Sequence, residues 1–99
     1  MKPYRSQEIQ SVLASKGFRK KEGKDHTWLI LMVDGSKTDI RTKVSRSPKT
    51  EYGGQLQSEM RKQLRLRGSR NKRLFEDLLA CPATYRDYMS ALRKQGFLE

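Results

Sequence analysis

Apolar and polar residues alternate through the middle of the chain, between residues 25 and 45. A run from His26 to Val33 and a second from Ser36 to Val44 are separated by the dipeptide Asp34-Gly35. Asp-Gly between two β-favourable runs predicts a hairpin, because a type I′ turn needs φ > 0 at both central residues. Side chains alternate between the two faces of a strand, so the hairpin is expected to have one apolar and one polar face.

The register of this hairpin follows from its loop length. A two-residue loop places Trp28 opposite Arg41 and His26 opposite Lys43. The predicted core face carries Thr27, Leu29, Leu31, Val33, Thr38, Ile40, Thr42 and Val44. The predicted open face carries His26, Trp28, Ile30, Met32, Lys37, Asp39, Arg41 and Lys43. The chain's one histidine is therefore expected beside two cations and an indole.

Helical periodicity flanks the hairpin on both sides. Ser6 is predicted to cap a first helix, and residues 18–22 (FRKKE) read as a lysine-rich edge strand. A loop is predicted from Arg46 to Gly54, with Pro48 as one breaker. The next helix has the apolar stripe Leu56, Met60 and Leu64. Two more helices are predicted on either side of Pro82, with apolar positions Leu74, Phe75, Leu78 and Leu79, then Tyr85, Tyr88, Met89 and Leu92.

This order predicts an α+β fold, α-β-β-β-α with two additional C-terminal helices. Residues 1–67 are expected to form the core, and residues 68–99 a helical extension packed on or beside it. The first two main helices should cover one sheet face and leave the other available. Double-stranded-RNA-binding domains share this small layout.

The net charge of the chain indicates that the protein binds a polyanion. It has 99 residues, 22 basic and 11 acidic side chains, a net charge of +11 and a pI near 10.2. Nucleic acid is the expected partner, with an anionic membrane as the weaker option. Residues 1–67 carry 16 basic and 7 acidic side chains, net +9, and residues 68–99 carry 6 and 4, net +2. The polyanion site is therefore expected in residues 1–67.

The single cysteine, Cys81, allows no intrachain disulfide, and no Cys/His cluster has metal-ligand spacing. The first residues lack the apolar stretch of a secretory signal, and the longest apolar run, residues 28–33, is too short to span a bilayer. A cytoplasmic protein with no cofactor and no metal is expected.

Metal-independent RNA cleavage requires little from a protein, because the 2′-hydroxyl of the substrate is the nucleophile. The protein moves protons and stabilises charge on the phosphorane, and histidine titrates in the right range. His26 is the candidate for proton transfer. The candidate RNA-binding residues are Lys24, Trp28, Arg41, Lys43, Arg46 and Lys49. Trp28 could stack on a base, and Lys49 with the amides of Gly53-Gly54 could cradle a phosphate.

Plainer interpretations of the same residues stay open. A lone histidine at a strand start is commonly a surface or hydrogen-bonding residue, and Trp28 could pack under a C-terminal helix. The helix pair Arg70–Cys81 and Ala83–Gln95 could act as a helix-turn-helix on DNA, although the low net charge of residues 68–99, +2, argues against this.

Several of these segments, taken in order, resemble the HicA-type toxins over about residues 6–66. The resemblance is carried by Phe18, by Gly23-Lys24-Asp25-His26, by Trp28, by Ile40–Ser45 (IRTKVS) and by Gly53–Leu66 (GGQLQSEMRKQLRL). That family consists of small, ribosome-independent mRNA endonucleases of toxin–antitoxin systems, with a double-stranded-RNA-binding-like fold. This chain departs from the common Gly-Ser-His motif, because Asp25 directly precedes His26.

The resemblance implies that His26 is the catalytic residue, as general base or acid, and that Arg41 and Lys43 are the basic sheet residues. It also implies an antitoxin of the HicB type that covers the active face. A metal-independent mRNA endonuclease toxin is therefore the expected function, with homodimerisation as a further expectation. The alternative is an RNA-binding module that uses the same basic face without cleaving.

Overall fold

A computed structural model describes residues 3–47, 49–80 and 82–97. Pro48 and Cys81 lie outside the described residues. In the described ranges the chain has an α+β fold with a three-stranded antiparallel sheet and four helices. The strands are β1 (Tyr4–Arg5), β2 (Phe18–Glu22), β3 (His26–Val33), β4 (Ser36–Ser45) and β5 (Glu51–Tyr52). The helices are α1 (Ser6–Ala14), α2 (Gly54–Gln63), α3 (Ser69–Ala80) and α4 (Tyr85–Lys94).

The sheet order is β2-β3-β4, and both strand pairs are antiparallel. Asp34 and Gly35 have φ of 52° and 78°, as a type I′ turn requires. The predicted hairpin and the predicted lysine-rich edge strand β2 are therefore confirmed. β1 and β5 form a separate two-stranded pair, with Tyr4 opposite Tyr52. This pair was not predicted, because residues 46–54 read as a loop.

The predicted register of the β3–β4 hairpin is wrong over most of its length. It holds next to the turn, where Met32 lies opposite Lys37. Beyond an irregularity between Ile30 and Met32, His26 lies opposite Ser45 and Trp28 opposite Lys43. The shift amounts to two residues of β4. Because two is the period of a strand, each side chain keeps its predicted face.

The hydroxyl of Thr38 satisfies backbone groups at this β-bulge. Thr38 Oγ1 donates a hydrogen bond to the Leu31 carbonyl (2.8 Å) and accepts one from the Ile40 amide (3.2 Å). A bulge leaves such groups without ladder partners. The register shift is therefore a specific feature of the sequence around Thr38, which a loop-length argument does not include.

Ser6 is not the N-cap of α1, contrary to prediction. Arg5 holds that place, and the Glu8 carboxylate accepts a hydrogen bond from the Arg5 amide (3.0 Å). Ser6 is fully buried, and its hydroxyl donates to the Ser45 carbonyl (2.5 Å). The Ser6 hydroxyl, which was expected to cap α1, therefore binds the backbone at the end of β4 instead.

The core lies between one sheet face and the helices. α1 contacts all three strands of the sheet, and α2 contacts β4. The buried side chains of this cluster are Ile9, Val12, Leu13, Phe18, Leu29, Leu31, Ile40, Val44, Met60, Leu64, Leu66, Phe75, Leu78, Leu79, Ala83, Tyr88, Met89 and Leu92. The division at residue 67 stays a prediction, and in the structure residues from both sides of it share this cluster.

Tyr88 ties the C-terminal helices to the sheet. Its ring stacks on Phe18 at 5.7 Å between centroids, and its hydroxyl donates to the Leu64 carbonyl (2.8 Å). Burial raises the pKa of Tyr88, because the phenolate would be desolvated there. The hydroxyl of Tyr85 also donates to the Met32 carbonyl (2.8 Å). The helices therefore pack on the core side of the sheet.

Candidate functional site

The sheet face opposite the core is basic and carries one large aromatic side chain. Strand alternation and the observed pairing place Arg19 and Lys21 of β2 next to Ile30 and Trp28 of β3. On β4, alternation places Lys37, Asp39, Arg41 and Lys43 on the same face. We call these residues, with Trp28 and Ile30, the outer face. Its five cationic side chains are exposed, so the face presents positive charge to solvent.

Trp28 lies at the centre of this charge. The guanidinium carbon of Arg41 is 5.0 Å from the centroid of the indole, and the ammonium of Lys43 is 5.6 Å from it. Lys43 is the direct cross-strand partner of Trp28, and Arg41 is its diagonal neighbour. Both distances fit cation–π contacts. The predicted grouping of an indole with two cations is therefore present, although with Lys43 where Arg41 was expected.

Gly23 makes room for this arrangement in the turn between β2 and β3. Its amide donates to the His26 carbonyl (2.7 Å). A β-carbon at this position would lie 2.8 Å from that carbonyl oxygen and 3.7 Å from Trp28 Nε1. A side chain at residue 23 would therefore displace the backbone that carries His26.

His26 is exposed at the first position of β3. It lines a pocket of about 200 Å³ where the start of β3, the second half of β4, β5 and α2 meet. The other lining residues are Thr42, Lys43, Tyr52, Leu56, Glu59, Met60 and Gln63. Lys43 belongs both to this pocket and to the outer face. Arg41 instead lines a separate depression with Trp28, so the expected trio of His26, Arg41 and Lys43 is only partly brought together.

Sequence periodicity missed the contribution of α2 to this pocket. Leu56 was predicted to share an apolar stripe with Met60 and Leu64, but its side chain is 48% exposed and lines the pocket. Gln57 is buried instead, 1% exposed, and its side-chain amide donates to the Tyr52 carbonyl (2.6 Å). Glu59, one turn after Leu56, lines the pocket as well.

The remaining predicted site residues lie away from the pocket lining. Arg46 forms an ion pair with Glu22 (3.3 Å) and donates to the Lys24 carbonyl (3.1 Å). Lys24 and Lys49 have exposed side chains. Gly53 is the N-cap residue of α2 and supplies no side-chain cap. Lys24, Arg46 and Lys49 are therefore not among the residues that line the pocket with His26 and Lys43.

Two general searches of the described ranges complete the description of the surface. No group of three or more His, Cys, Asp or Glu side chains in them is placed to share a metal ion. None of the helices in the same ranges combines the length and apolar character needed to cross a bilayer.

Comparison with family models, with curated proteins and with solved structures finds no match for this chain.

Proposed function

We propose that this protein is a metal-independent endoribonuclease, an mRNA-cleaving toxin of a toxin–antitoxin pair. His26 transfers a proton in the reaction, and the outer face binds the RNA. The order of α1, three antiparallel strands and α2 supports a double-stranded-RNA-binding-like domain. It agrees with the resemblance of residues 6–66 to HicA-type toxins.

The observation that carries the proposal is the position of Lys43 between the two parts of the site. Its ammonium lies over Trp28 on the outer face, and its side chain lines the pocket that contains His26. RNA bound along the outer face at Trp28 would therefore lie next to a residue that also lines the pocket of His26. Lys43 would offset the negative charge that develops on the phosphorane.

The outer face has the properties of a site for single-stranded RNA. Such sites combine a positively charged path for the phosphates with aromatic side chains on which bases stack. Trp28 is half-buried, so one part of the indole is fixed by packing and another is open to a base. The cationic groups of Arg41 and Lys43 lie 5.0 and 5.6 Å from the centroid of this ring.

The same face is where an antitoxin would act. A protein partner of the HicB type that lies on the outer face would cover Trp28 and Lys43 and so block access of RNA to His26. Because this face is cationic, such a partner would present acidic residues to it.

Substitution of His26 tests the catalytic part of the proposal. His26→Ala is expected to slow cleavage of purified RNA by about 10²–10⁴-fold, to abolish growth inhibition, and to leave the circular dichroism spectrum unchanged, because the side chain is exposed. Lys72→Ala, at an exposed position of α3, is the matched control. Cleavage by the His26→Ala protein at the wild-type rate would refute the assignment.

The rival function, an RNA-binding module without catalysis, is favoured by one observation. The contacts of Arg41 and Lys43 with Trp28 on the outer face do not involve His26. Incubation of the wild-type protein with labelled RNA separates the two functions. The proposal requires cleavage that persists in EDTA, whereas the rival requires a mobility shift with intact RNA.

A further inference from the structure

The pocket that contains His26 also holds a carboxylate that the proposed mechanism does not yet use. Cleavage of RNA by its own 2′-hydroxyl requires two proton transfers, one away from that hydroxyl and one to the leaving 5′-oxygen. Two positioned groups can make both transfers in a single displacement. The proposed mechanism therefore requires a second proton-transferring side chain in the pocket besides His26.

Among the groups that line the pocket, Glu59 is the one suited to accept the first proton. The hydroxyl of Tyr52 is already engaged, because it accepts a hydrogen bond from the Ser45 amide (2.8 Å). Lys43 is a cation, and its role would be to stabilise the negative charge on the phosphate. Glu59 lines the pocket from α2, on the same helical face as Leu56 and Gln63.

The surroundings of Glu59 leave its carboxylate accessible to a ligand. Its side chain is 62% exposed, and its ion pair with Lys62 spans 3.7 Å on the surface of the helix. Ion pairs between exposed side chains contribute little, so a ribose in the pocket would compete with it readily. A pocket of about 200 Å³ is smaller than the 300–1,000 Å³ typical of drug-sized ligands, so its occupant would be a small part of the RNA such as a ribose.

We infer that Glu59 is a second catalytic residue, the general base that complements His26 as general acid; this rests on the proposed ribonuclease function. The carboxylate of Glu59 takes the proton of the 2′-hydroxyl, and the 2′-oxygen forms a bond to phosphorus. The bond from phosphorus to the 5′-oxygen breaks, and the imidazolium of His26 gives its proton to that oxygen. The products are a 2′,3′-cyclic phosphate and a 5′-hydroxyl end, and exchange with solvent restores both exposed side chains.

This pairing predicts a bell-shaped dependence of the cleavage rate on pH. The groups that share the pocket with Glu59 are His26 from β3, Lys43 from β4 and Tyr52 from β5, with Lys62 on its own helix. A general base and a general acid that act in one displacement must be deprotonated and protonated at the same time, so the rate falls towards both ends of the pH range. Loss of the base is expected to remove the acidic limb of this profile.

The test is Glu59→Gln, which keeps the size and helix propensity of the side chain and removes its basicity. We expect cleavage of a short single-stranded RNA to fall by about 10²–10⁴-fold and the acidic limb to disappear. Binding of the same RNA with 2′-O-methyl groups, which cannot be cleaved by this route, should be retained. Glu76→Gln in α3, outside the pocket, is the matched control.

The outcomes distinguish this inference from the proposed function. If the wild-type protein cleaves RNA and His26→Ala does not, a Glu59→Gln protein with wild-type rate, or with its acidic limb intact, overturns the role of Glu59 alone. If the wild-type protein leaves RNA intact, the ribonuclease function fails, and the role of Glu59 fails with it.

Discussion

The two faces of the β3–β4 hairpin are formed by alternate residues of the same two strands, and they differ in chemistry and exposure. The core face carries Leu29 and Leu31, both with 0% exposure, against α1 and α2. The outer face carries Trp28 between Arg41 and Lys43, in contact with solvent. Adjacent residues therefore differ in what their loss would cost, which is stability on one face and affinity for a polyanion on the other.

The largest expected effect is on the core face. Leu29→Ala should lower the free energy of unfolding by about 2–5 kcal/mol, because it removes buried methyl groups and leaves a cavity beneath α1. Urea denaturation followed by circular dichroism measures this change. Leu56→Ala is the control of the same chemistry at a 48% exposed site, with an expected change within about 0.5 kcal/mol. Equal losses for the two variants would contradict the assignment of Leu56 to the surface.

Substitution of Trp28, the residue before Leu29 in β3, should affect RNA binding rather than stability. Trp28→Ala is expected to weaken binding of 2′-O-methyl single-stranded RNA by about 1–3 kcal/mol per stacked base. The measurement is a titration at a fixed salt concentration, because contacts to phosphates are salt-dependent. Trp28→Phe keeps an aromatic face and should retain part of the affinity. An alanine variant that binds as tightly as the wild type would show that the indole only packs.

The smallest expected effect concerns the bulge that sets the positions of both faces. Thr38→Val should cost about 1 kcal/mol of stability, because the Leu31 carbonyl and the Ile40 amide lose the hydroxyl between them. Thermal unfolding measures it, and Thr38→Ser, which keeps the hydroxyl, should behave as the wild type. Equal stability of the Thr38→Val and Thr38→Ser variants would show that the hydroxyl does not stabilise the bulge.

Most of the secondary structure and the identity of the two faces could be predicted from local pattern. The Asp34-Gly35 turn, the edge strand β2 and the face of every buried residue of β3 and β4 follow from backbone geometry with a period of two. Charge counting placed the basic surface in residues 1–67, and the observed outer face lies there. These features depend on near neighbours along the chain, so a single sequence is enough to find them.

Long-range contacts set the remaining features of the site. The bulge at Thr38 moved His26 from Lys43 to Ser45 and put Lys43 opposite Trp28. In α2, the side chain of Gln57 is buried and donates to the Tyr52 carbonyl of β5, whereas Leu56 is exposed, contrary to the apolar stripe.

The hydrophobic periodicity of α2 does not identify Glu59 as a site residue, because an acidic residue on a basic helix is expected to lie at the surface. Glu59 and His26 both line the pocket where β3, β4, β5 and α2 converge. Alternation along a strand is imposed residue by residue, so it can be seen in the amino-acid pattern. The register between strands and the orientation of a helix are set by contacts between residues far apart in the chain, and those contacts formed the pocket.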